Sequence, residues 1–433
     1  MGNIRANTPY SFLSNLESLF SVSLQNSHEI IANFHQEMRS GLAGIDSSLK
    51  MIPSFVRRPT GTEKGSFIVL DLGGTNIRVM AVELDGNRKT ALAAVTRFVI
   101  PQPLICGTGD ELFDFIADCI QLFFKNNSLG RQQSYDLAFT FSFPVEQRSL
   151  ASGKLIGWTK GFTASGVVGK DVVTILSEAL QRKEMGFIHV VALANDTVGT
   201  LLAGSYSDPL CDMGVILGTG TNACYPEKVS RIVKSAGLGP PSGEMIVNIE
   251  WGGFSRLTTN IYDRELDSAS NNRGKQQLEK MVSGMYLGEI ARRVIVEMMK
   301  QGLLFSERSL PVFSEEYMLR TEHLSLIAQG SDLFADSTLK NVSAIDIRTI
   351  REICRIVSTR SARIAGSAIA AVVAWMDENL ESDRTIAIDG TLFEKYPGYR
   401  ENIMAILYEL FGERAKKIKL ELIRDGSGIG SAI

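Results

Sequence analysis

The stretch FIVLDLGGTNIRVMAVEL, at residues 67–84, constrains the possible folds more than any other part of the chain. Residues 67–70 are an apolar run short enough to be a buried strand, and a second apolar strand follows over residues 77–84. Between them lie Asp71 and the tight turn GGTN, at residues 73–76. Paired glycines let backbone N–H groups approach a phosphate closely, and an acid before such a turn can hold Mg²⁺. The alternative is an ordinary tight hairpin, and this stretch alone leaves both interpretations open.

A second stretch favours the phosphate-binding interpretation. Residues 213–225, MGVILGTGTNACY, repeat the order of strand, glycine turn and strand. Two hairpins of this kind in one chain predict two similar half-molecules that face a single nucleotide. Small ligands usually bind in a cleft of that kind, so we expect the functional site to lie between the halves.

Composition limits the class of protein. A chain of 433 residues predicts two or three domains, and 44% hydrophobic residues, 21% charged residues and a net charge of −3 are ordinary for a globular protein. No charged run indicates a nucleic acid or a membrane surface as partner. The longest apolar run, residues 368–375, is too short to span a bilayer. The five cysteines have no paired spacing, which favours reduced thiols and a cytoplasmic location.

The order of predicted elements favours an α/β protein. Three strands and a helix are followed by a strand and a helix, and a similar order then recurs after residue 213. This alternation predicts mixed sheets that are covered by helices. Long helices are expected over residues 278–301 and 345–378, whereas residues 1–26 are polar and show no helical pattern.

Two common nucleotide-binding motifs do not account for the glycine turns. The chain contains no Gly-x-x-x-x-Gly-Lys-Ser/Thr run, so a P-loop of the Walker type is excluded. Residues 218–223, GTGTNA, match a loose dinucleotide-binding pattern, but a strand rather than a helix is expected to follow them.

Acids at the ends of predicted strands are the best candidates for catalysis. The four histidines lie away from every glycine turn. The ends of strands in α/β sheets face the ligand crevice, and four acids stand at such ends: Asp71, Asp196, Glu250 and Asp389. Asp196 follows a fully apolar strand and lies between Asn195 and Thr197. It would therefore suit a general base that takes a proton from a hydroxyl group.

Longer motifs resemble the hexokinase family of the type common in eukaryotes. They include LDLGGTNIRV (70–79), LANDTVGTLLAGSY (193–206), LGTGTNACY (217–225), EWGGF (250–254) and AIDGTLFEKYPGY (387–399). The similarity covers nearly the whole chain after about residue 27. One departure is Asn-Asn-Arg-Gly at residues 271–274, where the family commonly has Asn-Pro-Gly.

This resemblance implies an ATP-dependent sugar kinase with two lobes of ribonuclease H-like (actin-like ATPase) fold and a ligand cleft between them. The implied small lobe comprises residues 67–204 with 425–433, and the large lobe comprises residues 1–66 with 205–424. The resemblance also implies glucose, mannose or fructose as substrate, with Mg²⁺ and ATP as cofactors. Asp196 matches the catalytic base, and Lys160 would stabilise charge on the transferred group.

The resemblance further implies two sets of binding residues. The implied sugar-binding residues are Ser142, Thr159, Lys160, Asn195, Asp196, Asn222, Glu250 and Glu279. Those implied for the nucleotide and its metal are Asp71, which would hold Mg²⁺, with Gly73, Gly74, Thr75, Asn76, Arg78, Gly218, Thr219, Gly390, Thr391, Gly426 and Ser427. The alternative function is an actin-like or chaperone-like ATPase, since one fold hosts many functions. Such an ATPase would have no reason to carry Glu250, Glu279 or Lys160.

Overall fold

The computed structural model describes residues 8–74, 76–237, 242–305, 311–330 and 343–433. The strands are β1 (Ile52–Pro53), β2 (Lys64–Leu72), β3 (Asn76–Asp85), β4 (Thr90–Val99), β5 (Tyr135–Phe141), β6 (Val145–Ser149), β7 (Ser152–Leu155), β8 (Ile188–Ala194), β9 (Cys211–Leu217), β10 (Thr221–Lys228), β11 (Glu244–Asn248), β12 (Arg384–Asp389) and β13 (Ile418–Leu422). The helices are α1 (Pro9–Phe20), α2 (Leu24–Ala43), α3 (Gln102–Ile105), α4 (Gly109–Asn126), α5 (Val172–Arg182), α6 (Asp196–Ser207), α7 (Ile261–Ala269), α8 (Gln277–Val282), α9 (Gly284–Lys300), α10 (Pro311–Ser314), α11 (Thr321–Ala328), α12 (Ala344–Met376), α13 (Thr391–Lys395), α14 (Tyr399–Phe411) and α15 (Gly426–Ala432).

The two main sheets share one pattern. A five-stranded sheet has the order β4-β3-β2-β5-β8, and a six-stranded sheet has the order β1-β11-β10-β9-β12-β13. In the five-stranded sheet, β4, β3 and β2 pair antiparallel, and β5 and β8 then continue in parallel. The series β11-β10-β9-β12-β13 has the same directions. The duplication predicted from the two glycine turns is therefore present in the topology, and each turn joins the second and third strands of its series, β3 to β2 and β10 to β9.

Two helices lie between the sheets. α6 follows β8, and α15 follows β13, so they occupy equivalent places in the two halves. They cross closely, because a Cβ on Gly199 would lie 2.2 Å from the carbonyl oxygen of Ser427 and one on Gly430 would lie 1.7 Å from that of Gly199. Only glycine allows this approach. The predicted lobe boundary at residues 204 and 205 stays a prediction, because α6 continues through it.

The core of the large lobe is organised around α12, which packs on α2, α9 and α14. A Cβ on Gly366 would lie 2.4 Å from Ile406 and 3.2 Å from the carbonyl oxygen of Ile403, so the small residue permits close contact with α14. Of the described helices, only α12 is long and apolar enough to cross a bilayer, and 89% of its apolar window is buried inside the molecule. That burial is what a core helix requires.

Two helix predictions were wrong. Residues 9–20 form α1, which begins with a capping box between Thr8 and Ser11 and with Pro9 at its first position. The next helix, α2, is capped by Ser23. The helix expected over residues 278–301 is interrupted at Ser283, whose extended backbone ends α8 and precedes α9.

Candidate functional site

The predicted base lies at the start of α6. Asn195 caps this helix, and its Oδ1 accepts hydrogen bonds from the backbone N–H (3.0 Å) and hydroxyl (2.6 Å) of Thr197. Asp196 is the first helical residue, and its Oδ1 accepts from the N–H of Thr197 at 2.9 Å. Its other oxygen, Oδ2, lies 3.8 Å from Nζ of Lys160. The carboxylate is thus held in place with one oxygen directed toward a cation.

Lys160 enters the site from the loop after β7. Its backbone has a positive φ of 55°, and its Nζ donates to the carbonyl oxygen of Ser142 at 2.9 Å. The ammonium group also lies 5.5 Å from the ring centroid of Phe143. The side chain is 15% exposed, so the charge points into an enclosed space rather than into bulk water. Thr159 precedes it and is half-buried.

Amide and carboxylate groups at the ends of β10 and β11 form a connected network. Nδ2 of Asn222 donates to Oδ1 of Asn248 (2.9 Å) and to Oε1 of Glu250 (3.1 Å). Nδ2 of Asn248 also donates to Oε1 of Glu250, at 2.8 Å. Nδ2 of Asn222 lies 3.3 Å from Oδ1 of Asn195, so the network reaches the cap of α6. Asn222, Asn248 and Glu250 are each fixed by the other two.

Glu279 completes the group from α8. Its Oε2 accepts from the backbone N–H of Thr221 at 3.2 Å. A Cβ placed on Gly220 would lie 2.8 Å from this oxygen and 3.5 Å from Cε of Lys160, so both side chains approach the second glycine turn. The Asn-Asn-Arg-Gly segment at residues 271–274, which departs from the family pattern, is held beside α8 by Lys280. The ammonium group of Lys280 donates to Asp267 at 2.6 Å and to the carbonyl oxygen of Asn272 at 3.0 Å.

The site concentrates negative charge around one lysine. Burial raises the pKa of Glu250 to about 7, and the nearby Asp196 and Glu279 also raise it, while Asn248 and Lys160 lower it. Burial likewise raises the pKa of Glu279, and Lys160 opposes that shift. Carboxylates that are crowded together accept protons more readily, so this pocket suits a neutral ligand rich in hydroxyl groups.

The first glycine turn places an acid beside an open space. Oδ2 of Asp71 accepts from Nε of Arg78 at 3.0 Å and from the hydroxyl of Ser427 at 3.1 Å. Oδ1 of Asp71 and Oγ of Ser142 are buried and have no partner among the described residues. A Cβ on Gly73 would lie 3.8 Å and 3.9 Å from these two atoms. Two polar atoms without a partner among the described residues therefore face the side of Gly73 on which a Cβ would lie.

Apart from Gly74 and its chain neighbours, no heavy atom of the described residues lies within 4 Å of the position that a Cβ on Gly74 would take, and Asn76 is exposed. Thr75 lies outside the described residues. Arg78 also binds the carboxylate of Asp425, which ties the turn to the start of α15. Within the described residues, no three His, Cys, Asp or Glu side chains form a metal-binding cluster. Burial raises the pKa of Asp389 to about 6, with Arg78 opposing that shift.

The second glycine turn borders a cavity of about 580 Å³. Gly218, Thr219 and Thr391 line it, as predicted for nucleotide contacts. Gly390 has a φ of 127°, and a Cβ there would lie 2.3 Å from the carbonyl oxygen of Leu217, so only glycine fits. Gly426 and Ser427 lie elsewhere, at the start of α15, where Ser427 contacts Asp71.

The sequence predictions did not include several residues of these sites. Asn248 was missed, although an amide two positions before Glu250 at the end of an apolar strand was a possible signal. Most side chains of the 580 Å³ cavity were also missed, because they come from α9, α13, α11 and the residues that flank α11, and they carry no motif. They include Met285, Tyr317, Leu319, Ser325, Leu326, Gln329 and Lys395.

Comparisons with known proteins agree with this arrangement. Two hexokinase family models match residues 12–206 and 212–433. The chain is 42% identical to Hexokinase-7 of Oryza sativa subsp. japonica over 418 residues, which are 92% of this chain and 90% of the relative. It is 39% identical to Hexokinase-3 of Rattus norvegicus over 437 residues, 96% of this chain, and spans 46% of that relative.

A solved structure is similar over almost its whole length. It is the hexokinase from Schistosoma mansoni complexed with glucose, with a TM-score of 0.89, 34% identity and coverage of 98% of this chain and 99% of that one. The fold class predicted from the sequence, two lobes with mixed sheets flanked by helices, is confirmed. The chain belongs to the hexokinase family of enzymes, which transfer a phosphoryl group to a hexose.

Proposed function

We propose that the protein transfers the γ-phosphoryl group of Mg-ATP to the 6-hydroxyl of glucose and related hexoses, with Asp196 as general base. The observation that carries the proposal is the convergence of Asp196, Lys160, Asn222, Glu250 and Glu279 from five parts of the chain on one enclosed space. The solved relative with the same fold is described as a complex with glucose.

The hexose would be held by groups that both donate and accept hydrogen bonds. Each sugar hydroxyl can do both, so a ring of carboxylates and amides satisfies several hydroxyls together. Glu250 and Glu279 would accept from two of them, while Asn222 and Asn195 would fix others. The backbone of Glu250 has a positive φ of 57°, a cost that the surrounding network offsets.

The reaction requires a base beside the attacking hydroxyl. Oδ2 of Asp196 takes the proton as the hydroxyl oxygen forms its bond to the γ-phosphorus, and the bond from that phosphorus to the β-phosphate oxygen breaks, releasing ADP. Lys160, with its Nζ 3.8 Å from that carboxylate, would stabilise the negative charge on the transferred group.

The residues at the first glycine turn fit a magnesium–polyphosphate group. Oδ1 of Asp71 is a buried acceptor without a partner, and one carboxylate with water and phosphate oxygens is a common environment for Mg²⁺. When bound, the ion would neutralise charge on the phosphates. Arg78 and Ser427 orient Asp71, and the open backbone around Gly74 leaves room for phosphate oxygens.

The nucleoside would occupy the 580 Å³ cavity. Its size is suitable for an adenosine group, and Gly218, Thr219 and Thr391 connect it to the second glycine turn. The phosphates would then reach the first turn across the gap between the two halves. A cytoplasmic location, with neither a nucleic acid nor a membrane as partner, remains part of this proposal.

The test is ADP release from ATP with and without a panel of hexoses. We expect release that depends on glucose, mannose or fructose. An actin-like ATPase would release ADP without any sugar, so ADP release that does not depend on a hexose would contradict the proposal.

Binding gives a second, independent measurement. Glucose without ATP should draw the lobes together, because its contacts come from both halves, and a ligand favours the state in which it makes more contacts. It should also stabilise the folded protein by about 2.7 kcal/mol at a hundred times the dissociation constant. Thermal shift and small-angle scattering would detect both effects, with a non-substrate polyol as control. No response to any hexose would overturn the proposal.

A further inference from the structure

A second polar cavity lies on the side of the molecule where the chain passes between the two sheets. It has a volume of about 390 Å³, and we call it the hinge cavity. Its lining includes Arg57, Arg58, Arg88, Ser205, Pro209 and Glu244. Two chain crossings meet there: residues 54–63, which connect β1 to β2, and residues 208–210, which connect α6 to β9.

The hinge cavity has an excess of positive charge. Three guanidinium groups face it, against one carboxylate, and Arg58 pairs with Glu244 at 3.3 Å. Arg57 and Arg88 form no ion pair within 4 Å in the part of the chain that the structure describes. Arg57 donates to the carbonyl oxygen of Ser242 at 3.2 Å. Glu63, on the same connection, accepts from Thr60 and Gly61 instead.

Arg88 is held in position before any ligand arrives. It donates to the carbonyl oxygens of Thr60 (2.7 Å) and Tyr206 (3.2 Å). Its guanidinium group lies against Gly61, where a Cβ would approach Cζ of Arg88 to 2.6 Å. An arginine fixed in this way loses little rotamer entropy on binding. Because carbonyl contacts leave its charge uncompensated, it is prepared to receive an anion.

We propose that the hinge cavity binds a phosphoryl dianion and that its occupancy is coupled to the relative position of the two lobes. Arginine forks match phosphate oxygens in geometry and charge, and the volume accepts a phosphate group with a small substituent. The source of the group is either free phosphate or a small phosphomonoester. These two share the chemistry that the arginines recognise.

The coupling follows from where the charges are anchored. Arg88 lies in the turn between β3 and β4 of the five-stranded sheet, whereas Glu244 begins β11 of the six-stranded sheet. A movement of one sheet relative to the other changes the separation of these groups, and therefore the affinity for an anion. By linkage, a ligand that moves the lobes alters anion binding, and the anion alters binding of that ligand by the same factor.

The test uses calorimetric titration of the full chain with inorganic phosphate and, separately, with glycerol 2-phosphate, at low ionic strength. In Arg57→Gln and Arg88→Gln we expect the dissociation constant to rise at least about tenfold, since each removes a charged hydrogen bond. The matched control is Arg148→Gln, because Arg148 is an exposed arginine paired with Glu146 at 3.1 Å on β6. Tighter binding of the ester identifies a phosphorylated metabolite, and equal binding identifies the phosphate group alone.

Phosphate bound at the glycine turns would survive both substitutions, so unchanged constants in both variants would overturn the site. Absence of binding by the wild type at 10 mM phosphate, on the order of the weakest meaningful affinity, would also overturn it. Arg57 is exposed, so its variant remains informative if Arg88→Gln does not fold.

The part of the experiment that tests coupling between phosphate and glucose rests on the proposed hexose binding. Phosphate should change the glucose constant, and glucose the phosphate constant, by one common factor of about threefold or more. Unaltered constants in both directions, with each ligand bound, would overturn the coupling. Absence of glucose binding would instead contradict the proposed function, while the phosphate titration would still decide the site.

Discussion

The candidate sugar pocket and the 580 Å³ cavity stand side by side at the second glycine turn, but they are built differently. The pocket is a continuous network in which Asn222, Asn248 and Glu250 bond to one another and Asn222 also approaches Asn195. The cavity is lined by the second glycine turn and by side chains of α9, α11, α13 and the connection before α11, including Met285, Leu319 and Leu326.

This difference sets how each region should respond to substitution. In a network, the loss of one member leaves its partners buried and unsatisfied, which costs more than the bond itself. In a cavity lined mostly by independent contacts, each side chain contributes part of the contact surface. A substitution there changes ligand affinity mainly by changing the shape of the cavity. We therefore expect large, chemistry-dependent effects in the pocket and smaller, shape-dependent effects in the cavity.

The largest effect is expected from Asp196→Asn. The amide preserves the shape of the side chain but cannot take a proton, so turnover should fall by about a hundredfold or more. Hexose affinity should stay within a modest factor. Single-turnover kinetics together with calorimetric binding of glucose would separate the two. Near-normal turnover would remove Asp196 from the mechanism.

Lys160→Met should come next. The lysine ammonium is a compact charge beside Asp196 and, in the proposed reaction, beside the transferred group. Its loss should reduce turnover by about a hundredfold, with ATP affinity changed far less. Rates normalised to the folded fraction give the measurement. A lysine needed only for folding would lower the melting temperature and leave the rate per folded molecule unchanged.

Leu326→Trp tests the other side of the comparison. Leu326 lines the cavity and is 38% exposed, so a larger ring should enter the space proposed for the nucleoside. Overfilling typically costs about 2 kcal/mol, which corresponds to about a thirtyfold weaker ATP affinity. Hexose affinity should not change. Leu122→Trp, at a 44% exposed position on α4, is the matched control. If both variants weakened ATP binding equally, the cavity would not be the site of nucleotide binding.

The same contrast explains what the sequence could predict. Polar residues at strand ends beside glycine turns form recognisable patterns, and this made Asp71, Asp196 and Glu250 candidates. The strand order was predictable to the extent that the two glycine turns indicated a duplication. The cavity was not predictable, because apolar side chains on helices have the same pattern whether they face a core or a ligand.

Two failures have other physical reasons. α1 was missed although Phe12, Leu13, Leu16 and Phe20 recur at helical spacing, because the polar residues between them and around the capping box of Thr8 and Ser11 dominate the composition of the segment. The break at Ser283 was missed because the apolar periodicity continues on both sides of it, although Val282, Ser283 and Gly284 are themselves weak helix formers. There the backbone N–H groups of Gly284 and Met285 donate to the carbonyl oxygens of Gly218 and Thr219, so tertiary contacts with the glycine turn determine the break.

The smallest expected effect is a pH dependence confined to the pocket. Burial, together with Asp196 and Glu279, raises the pKa of Glu250 to about 7. At pH 8 this carboxyl group is mostly ionised and can accept from a sugar hydroxyl, and at pH 6 it is mostly protonated. Glucose affinity should therefore fall by about tenfold from pH 8 to pH 6. Since the pKa of Glu279 is also raised, its protonation acts in the same direction.

The positioning role of Asn248 sharpens this prediction. Asn248→Asp replaces a donor 2.8 Å from Oε1 of Glu250 with a carboxylate, which removes a bond that lowers the pKa of Glu250 and adds a like charge. The midpoint of the affinity profile should move to higher pH, so that raising the pH partly restores binding. Asn260→Asp is the control, because Asn260 is equally buried and caps α7 through Asp263. A profile unchanged by Asn248→Asp, or shifted equally by both substitutions, would show that Asn248 contributes to packing alone.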